Sequence, residues 1–292
     1  MDIDGDGHKD ILSGSYSRTD EKEMAGLFQV LRGKKDGTFH KAEALKGTDG
    51  EPLIIPGAGT GDDKLLEKIC TRPFAVDWDG DGHLDLVVGN LTGRFYWFKG
   101  EGKGKFNPKP EAVKAGKEPV RIKGHHSDPF VVDWDGDGDL DLLSGSTEGG
   151  VQWAENKAGK GKPPELKAFE PLIKPGKGVK YGEPISEADL TGPTAATRVW
   201  VEDVNGDGKL DVLVGDMVNL VSPTKGVSPE EFKKKFAEWE KAVEEVSKKI
   251  NDEKASKEER EKANQEFNKV YKQKAEFMTE DRTGFVWLYV RK

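Results

Sequence analysis

A short acidic segment occurs four times in this chain of 292 residues. Each copy places carboxylate or amide side chains at positions 1, 3, 5 and 9, with glycine at position 6. The clearest copy begins at Asp77 with the letters DWDGDGHLD, and the others begin at Asp2, Asp133 and Asp203. Closely spaced oxygen donors are the ligands of hard divalent cations such as calcium, which takes about six to eight of them. The spacing therefore predicts four calcium-binding loops.

The predicted ligands are the side chains at positions 1, 3, 5 and 9 of each loop and the main-chain carbonyl at position 7. In chain order they are Asp2, Asp4, Asp6, His8 and Asp10; Asp77, Asp79, Asp81, His83 and Asp85; Asp133, Asp135, Asp137, Asp139 and Asp141; and Asp203, Asn205, Asp207, Lys209 and Asp211. Glycine at position 6 permits a sharp turn, because a residue without a Cβ reaches backbone conformations that others avoid. One copy alone could be a surface turn rich in Asp and Gly. Four copies with the same offsets argue against that interpretation.

An EF-hand loop begins in the same way, but it requires a bidentate glutamate at position 12 and a helix on either side. Position 12 is occupied here by Ser13, Val88, Ser144 and Val214. The residues from position 10 onward are β-formers, as in Leu-Val-Val-Gly at 86–89. We therefore expect the loops to connect one strand to the next.

The loops recur at a length that is typical of propeller blades, each built from several short strands. In the second unit, strand A is expected over 73–77, strand B over 85–89 and strand C over 94–99, with strand D starting near Phe106. The first unit has no strand A before its loop, and the fourth reaches strand C only at 283–289. This pattern predicts an all-β fold, a β-propeller of four recognisable four-stranded blades with calcium in the A–B loops.

Residues 216–282 interrupt the B–C turn of the fourth unit and predict an inserted α-helical hairpin. Ser228 and Ser256 each begin an S-x-x-E capping box, a common start of a helix. Apolar residues that recur every three or four positions after Ser228 predict a helix with one buried face. The predicted domains are therefore β-propeller repeats at 1–215, a helical hairpin at 216–282 and a returning propeller strand at 283–292.

The formal net charge is −8, and four bound calcium ions would offset it. Nucleic-acid binding favours a basic face and is not expected. No apolar stretch approaches the roughly 18 residues that a membrane span needs. Because weak calcium loops fill where calcium is millimolar, we expect an extracellular or periplasmic location. The leader peptide of such a protein is expected to lie outside this sequence, which opens directly in a calcium loop at Asp2.

The loops and the strands after them resemble the FG-GAP/VCBS repeat family, whose best-known members are the calcium-binding β-propellers of integrin α-subunits. The resemblance rests on the pattern D-x-D-G-D-G-x-x-D-[LIV], present in three copies and, with Asn205, in a fourth. It implies blades of four antiparallel strands and up to four Ca²⁺ ions in the A–B loops. The Phe-Gly and Gly-Ala-Pro signatures of the integrin form are absent, which places the chain nearer the bacterial VCBS type.

The resemblance also implies that the residues before each strand A surround the mouth of a central channel. The candidate ligand-binding residues at those places are Arg72, His125, His126, Asp128 and Arg198. An anionic or polyhydroxylated ligand would suit this set, and ordinary polar loop residues are the alternative interpretation.

We therefore expect a calcium-stabilised, non-catalytic binding or scaffold module with a protein or glycan ligand on the loop face. A polysaccharide lyase or hydrolase built on a calcium propeller is the alternative, although no G-x-S-x-G, H-E-x-x-H, P-loop or dinucleotide motif is found. A purely structural piece, whose helical hairpin docks a partner, is a third class. Seven blades are usual in the family, so an oligomer is expected if blades are completed between chains.

Overall fold

The computed structural model describes residues 1–17, 24–57, 62–178, 181–252 and 254–292. The described chain is mostly β-structure with three α-helices, consistent with the expected all-β class. Its strands are short because each run of β-branched and aromatic residues is soon ended by a turn rich in glycine. None of the helices in the described ranges has the length and apolar character that crossing a membrane requires.

The strands are numbered in chain order. They are β1 (Ile11–Gly14), β2 (Phe28–Leu31), β3 (Glu43–Ala44), β4 (Arg72–Val76), β5 (Asp85–Gly89), β6 (Phe95–Phe98), β7 (Gly100–Gly102), β8 (Lys105–Phe106), β9 (Glu111–Ala112), β10 (Lys114–Ala115), β11 (Glu118–Pro119), β12 (Asp128–Val132), β13 (Asp141–Gly145), β14 (Val151–Ala154), β15 (Glu170–Ile173), β16 (Arg198–Glu202), β17 (Asp211–Gly215), β18 (Val218–Pro223), β19 (Met278–Thr283) and β20 (Val286–Tyr289). The helices are α1 (Asp62–Glu67), α2 (Pro229–Ile250) and α3 (Lys257–Lys272), with 3-10 turns at Glu187–Asp189 and Gln273–Glu276.

Four antiparallel sheets follow one another along the chain. The first to fourth sheets have the strand orders β1-β2-β3, β4-β5-β6-β9, β12-β13-β14-β15 and β16-β17-β20. Each strand is paired with its neighbour in sequence order, apart from small hairpins and the insertion between β17 and β20. Four strands were expected in every blade, whereas the first and fourth sheets hold three within the described residues. The described strands form no closed barrel or propeller, so the four-bladed propeller stays a prediction.

The fourth strand of the second sheet lies later than expected. Phe106 belongs to β8, which pairs with β7 in a separate small hairpin, and β9 is the strand that pairs with β6. Gly102 and Gly104 both have positive φ angles, of 80° and 68°, so the chain can fold back at once instead of continuing into the sheet. The ring of Phe106 is fully buried in the core nonetheless.

An apolar cluster fills the space between each pair of consecutive sheets. The first joins residues such as Phe28 of β2 to Leu86 of β5. The second joins Val87 of β5 to Leu142 of β13, and the third joins Leu143 of β13 to Val212 of β17. Because side chains alternate along a strand, β5 and β13 each contribute to two clusters, one through each face of the sheet. The second and third sheets are therefore buried on both faces.

A serine or threonine in front of the first strand of a sheet joins that sheet to the one before it, and we call this contact the joint. In the preceding sheet, the strand that follows the acidic loop ends in a glycine. The hydroxyl oxygen accepts a hydrogen bond from the main-chain N–H of the residue after that glycine. The three donor–acceptor pairs are Ser15 to Thr71 (3.1 Å), Asn90 to Ser127 (2.8 Å) and Ser146 to Thr197 (2.8 Å). All three hydroxyl residues are buried. Each therefore connects two sheets by a hydrogen bond, which is buried at Ser127 and Thr197 and partly buried at Thr71.

The glycines at the joints have no space for a side chain. A Cβ on Gly14, Gly89 or Gly145 would lie 1.8, 2.2 and 2.2 Å from the carbonyl oxygen of Thr71, Ser127 and Thr197 respectively. At the fourth sheet, a Cβ on Gly215 would meet only the Cβ of Arg198, at 3.9 Å. The joint position of the fourth sheet is thus open within the described residues.

Residues 177–191 and 218–283 form a second compact unit. It contains α2, α3 and a two-stranded ribbon of β18 and β19, around an apolar core that includes Phe232, Trp239 and Phe277. Both helices begin where the capping pattern indicates: the side chain of Ser228 accepts the N–H of Glu231, and Ser256 forms a full capping box. The ribbon was not predicted, and the unit differs from the predicted 216–282 by taking in residues 177–191.

Candidate metal centres and ligand cleft

The four acidic loops share one backbone conformation. In each, the carboxylate at position 1 accepts the main-chain N–H of the glycine at position 6. The glycine–aspartate pairs are Gly7 to Asp2 (2.8 Å), Gly82 to Asp77 (3.0 Å), Gly138 to Asp133 (3.0 Å) and Gly208 to Asp203 (2.8 Å). The glycines at positions 4 and 6 of every loop have φ between 73° and 97°, a region that other residues rarely adopt. The glycines therefore curl the loop around its first carboxylate.

The carboxylates at positions 3 and 5 each turn back onto the chain two residues further on. In the second loop, Asp79 accepts the N–H of Asp81 at 3.3 Å, and Asp81 accepts the N–H of His83 at 2.9 Å. In the fourth loop, the side-chain oxygen of Asn205 takes the same role and accepts the N–H of Asp207 at 2.8 Å. An amide oxygen therefore preserves the turn, but it supplies no negative charge.

The aspartate at position 9 ties the loop to the sheet. In the third loop, Asp141 accepts the N–H of Trp134 at 3.1 Å through one oxygen and that of Asn156 at 2.7 Å through the other. Asp10, Asp85 and Asp211 are buried and accept the equivalent pairs of N–H groups. Burial raises the pKa of Asp85 and of Asp141 to about 6, although the N–H donors oppose the shift. A cation beside either carboxylate would favour its ionised form.

The side chains of three loops converge as a cation site requires. Each of these three clusters brings one oxygen from each of three aspartates within 4.8 Å of the others. The clusters are Asp2, Asp4 and Asp6; Asp77, Asp79 and Asp85; and Asp133, Asp135 and Asp137. Position 9 joins the cluster in the second loop, whereas positions 1, 3 and 5 form it in the first and third. The predicted ligands of one loop are therefore brought together, as calcium coordination needs.

Two buried carboxylate oxygens in these loops have no hydrogen-bond partner among the described residues. They are Oδ1 of Asp77, at position 1 of the second loop, and Oδ1 of Asp139, at position 7 of the third. A buried polar atom without a partner costs free energy, and a cation would give it one. This donor set, made of oxygens only, fits a hard ion such as calcium.

Two basic side chains that sequence reasoning missed reach into the acidic loops. Lys99 forms ion pairs with Asp79 and Asp81 of the second loop. Arg32 lies 3.1 Å from Asp4 and 3.5 Å from Asp10 of the first loop. Both residues directly follow the third strand of the loop pattern, β6 or β2. That shared place along the chain is the signal that could have found them, and a metal ion would compete with both.

Three of the five predicted ligand-binding residues come together at the start of neighbouring strands. The carboxylate of Asp128 lies 3.7 Å from Nε of Arg72 and 3.6 Å from Nε of Arg198. These residues line a cleft of about 470 Å³ together with Leu12–Tyr16, Cys70, Thr71 and Pro73. His125 and His126 are not among the residues that line it. The cleft therefore holds two guanidinium groups against one carboxylate.

The charges at this cleft influence one another. Burial raises the pKa of Asp128, while Arg198 and Arg72 oppose the shift. Burial and the neighbouring Arg198 lower the pKa of Arg72, and Asp128 opposes that shift. Burial and then the two arginines lower the pKa of His126 as well. The two arginines and Asp128 together leave one positive charge in excess, and a bound anion would offset it.

Part of the chain is similar to a known family of repeats. The model of the FG-GAP-like repeat matches residues 77–144 and again residues 133–214. Residues 77–214 are thus similar to FG-GAP-like repeats. The two matches run through the second, third and fourth acidic loops and take in the third sheet, most of the second and β16 and most of β17 of the fourth. No curated protein and no solved structure matches this chain.

Proposed function

We propose that this chain is a calcium-stabilised, non-catalytic binding module of the extracellular or periplasmic space, with one calcium ion in each acidic loop. The observation that carries the proposal is the convergence of three aspartate oxygens in each of three loops. FG-GAP-like repeats themselves are typical of β-propeller-like binding or scaffold modules. The fourth loop adds Asp203, Asn205 and Asp207 in the same conformation.

Calcium would stabilise the fold through the loops. Without a cation, three carboxylates within 4.8 Å repel one another, and only the loop N–H groups and nearby basic side chains oppose that repulsion. Binding to the folded state alone contributes about 2.7 kcal/mol for each loop when calcium is at about 100 times its dissociation constant. Each position-9 aspartate links its loop to two strands, so ordering the loop also orders the edge of its sheet.

The test is thermal unfolding of the full chain in millimolar calcium, in excess chelator and in magnesium. We expect a marked loss of thermal stability in chelator and weak protection by magnesium, which demands a smaller, octahedral site. An unchanged midpoint in chelator would refute the calcium part of the proposal.

For the ligand, we propose an acidic glycan that places a carboxylate or sulfate between Arg72 and Arg198. The two guanidinium groups share the single carboxylate of Asp128, so one positive charge is left for a ligand. Guanidinium groups suit such anions because they donate two parallel hydrogen bonds. The same residues could bind an acidic protein segment, but the cleft of about 470 Å³ is of the size that small ligand groups fill.

Incubation with a set of anionic polysaccharides tests this part and separates binding from catalysis. We expect the protein to retain a polysaccharide without producing new chain ends. The Arg198→Gln variant should lose this retention. The control Lys117→Gln, which alters an exposed lysine outside the cleft, should keep it. New chain ends would instead show a lyase or hydrolase. Equal retention by both variants would show that the ligand binds elsewhere.

A further inference from the structure

Each sheet of the repeat array has a leading face, which meets the sheet before it, and a trailing face, which meets the sheet after it. The centre of a trailing face is a row of three paired residues across the first three strands. The rows are Phe74, Val87 and Trp97 in the second sheet, and Phe130, Leu143 and Trp153 in the third. Both rows pack against valine and leucine side chains of the next sheet.

The fourth sheet has the same row, which stays largely exposed, although the ring of Trp200 packs edge-on against that of Phe130 in the third sheet, with centroids 5.4 Å apart. Trp200 pairs with Leu213, and Leu213 pairs with Leu288. Trp200 is 55% exposed, Leu288 51% and the neighbouring Val286 71%, although they take the places of buried or half-buried residues in the other sheets. A contiguous exposed apolar patch of this kind marks an interaction site.

The leading face of the first sheet is also uncovered. Ile11 pairs with Leu31, and Ser13 pairs with Gln29, with Ile11 exposed to 46%. The leading face of the third sheet has the same composition in the same register, an apolar pair and a serine–glutamine pair: Leu142 with Ala154, and Ser144 with Gln152. There, Leu142, Ser144 and Ala154 are buried under the trailing face of the second sheet.

We propose that the trailing face of the fourth sheet binds the leading face of the first sheet in a second copy of this chain. The contact would repeat the one that the second sheet makes with the third: an aromatic, a branched aliphatic and a large apolar residue against an apolar pair and a serine–glutamine pair. The same chain does not make this contact in the described fold, where both faces are exposed. Each copy carries one trailing and one leading face, so a second copy offers one complementary face for each.

Such a contact joins two different surfaces, so it is heterologous and either closes into a ring or grows into a filament. Propellers close with about four to eight sheets. Two copies of the four described sheets supply eight, which is within that range. A closed pair with two identical contacts is therefore the expected assembly. It does not depend on the ligand of the cleft.

Sedimentation velocity of the full chain in millimolar calcium, over a range of concentrations, tests the proposal. Leu288→Asp alters the trailing face and Ile11→Asp the leading face, while Leu65→Asp changes an exposed leucine of α1 that belongs to neither face. The wild type and Leu65→Asp should form a two-copy species that both face variants lose. An equimolar mixture of the two face variants should regain a weaker two-copy species, because one of the two contacts then joins unaltered faces.

Four results would overturn the proposal. A wild-type chain that stays monomeric at every concentration shows that the faces do not associate. A pair that survives both face variants lies elsewhere on the molecule. Loss of the pair in only one of the two face variants, or mixing that restores nothing, shows that the trailing face does not bind the leading face; loss in one variant alone indicates an isologous contact of that face with itself. Circular dichroism checks that the variants fold, and Val286→Lys, at the most exposed position of the patch, replaces Leu288→Asp if that variant does not.

Discussion

The third and fourth sheets follow the same plan, but only the third has a neighbouring sheet on both faces. In the third, the hydroxyl of Thr197 lies between the N–H of Ser146 and the carbonyl of Gly150, at 2.8 Å from each. In the fourth, no described residue places a hydroxyl there, and the N–H of Asp216 donates directly to the carbonyl of Phe285 at 3.0 Å. A sheet of this array is therefore linked to the next sheet through one buried hydroxyl and through one glycine that lets the two backbones approach closely.

The largest expected difference comes from alanine at the two equivalent glycines. In Gly145→Ala, the Cβ would lie 2.2 Å from the carbonyl oxygen of Thr197, so the third and fourth sheets must move apart. We expect a loss of about 3 kcal/mol in the free energy of unfolding, the cost of a strained core. In Gly215→Ala, no atom lies closer than 3.9 Å, and the lower entropy of the unfolded chain should leave stability unchanged or raised by up to about 1 kcal/mol.

Denaturant unfolding of both glycine variants and the wild type measures this difference. Equal losses in the two variants would show that the joints do not distinguish the third sheet from the fourth.

The next difference concerns the calcium loops of the two sheets. The third loop carries five aspartates in nine positions, whereas the fourth carries three aspartates and Asn205. Because calcium affinity rises with ligand charge, Asp133→Ala should cost about 3 kcal/mol of stability in millimolar calcium, and Asp203→Ala about 1 kcal/mol. Thermal unfolding in calcium and in chelator measures both. The reverse order, or losses that persist unchanged in chelator, would contradict a metal origin.

Removing the hydroxyl at the joint should have an intermediate effect on the free energy of unfolding. Thr197→Val keeps the shape of the side chain and removes the group that accepts from Ser146 and lies against the carbonyl of Gly150. Leaving these two buried groups unsatisfied should cost about 2 kcal/mol. Thr224→Val, which alters an exposed threonine hydroxyl of the second unit, is the matched control and should change little. A Thr197→Val protein as stable as the control would show that the joint does not depend on the hydroxyl.

The smallest effect is expected from restoring the missing charge. Asn205→Asp gives the fourth loop the donor that the other loops have at position 3. A tenfold gain in calcium affinity corresponds to about 1.4 kcal/mol, so stability in millimolar calcium should rise by about 1 kcal/mol. In chelator the sign should reverse, because the new carboxylate repels Asp203 and Asp207 without a cation to offset it. A gain in chelator as large as that in calcium would assign the effect to something other than metal.

Local patterns predicted the elements that local interactions build. The acidic loops, the strands on either side of them and the two helix starts at Ser228 and Ser256 lie where the sequence indicates, since turns and caps are formed by residues close in the chain. The ribbon of β18 and β19 was missed because β19, at 278–283, is polar after its first residue and because the two strands lie far apart in sequence.

The contacts that surround the acidic loops were not predicted from the sequence. The sequence indicated which aspartates belong to one loop. Lys99 and Arg32 reach those loops because strand pairing brings them there, and their shared place directly after β6 and β2 was the one signal in the sequence. The joint was missed for the same reason. A residue with a left-handed backbone, Cys70, His126 or Ala196, precedes each joint hydroxyl, and three such different side chains give no common pattern to read.

A native mass spectrum of the full chain, titrated with calcium and compared with a chelated sample, tests the central claim most directly. We expect up to four calcium ions for each chain, with the Asn-bearing loop at Asp203 filling last, and none of them in chelator. A spectrum that shows no calcium adduct beyond those of a control protein at the same concentration would contradict the assignment of the acidic loops as metal centres.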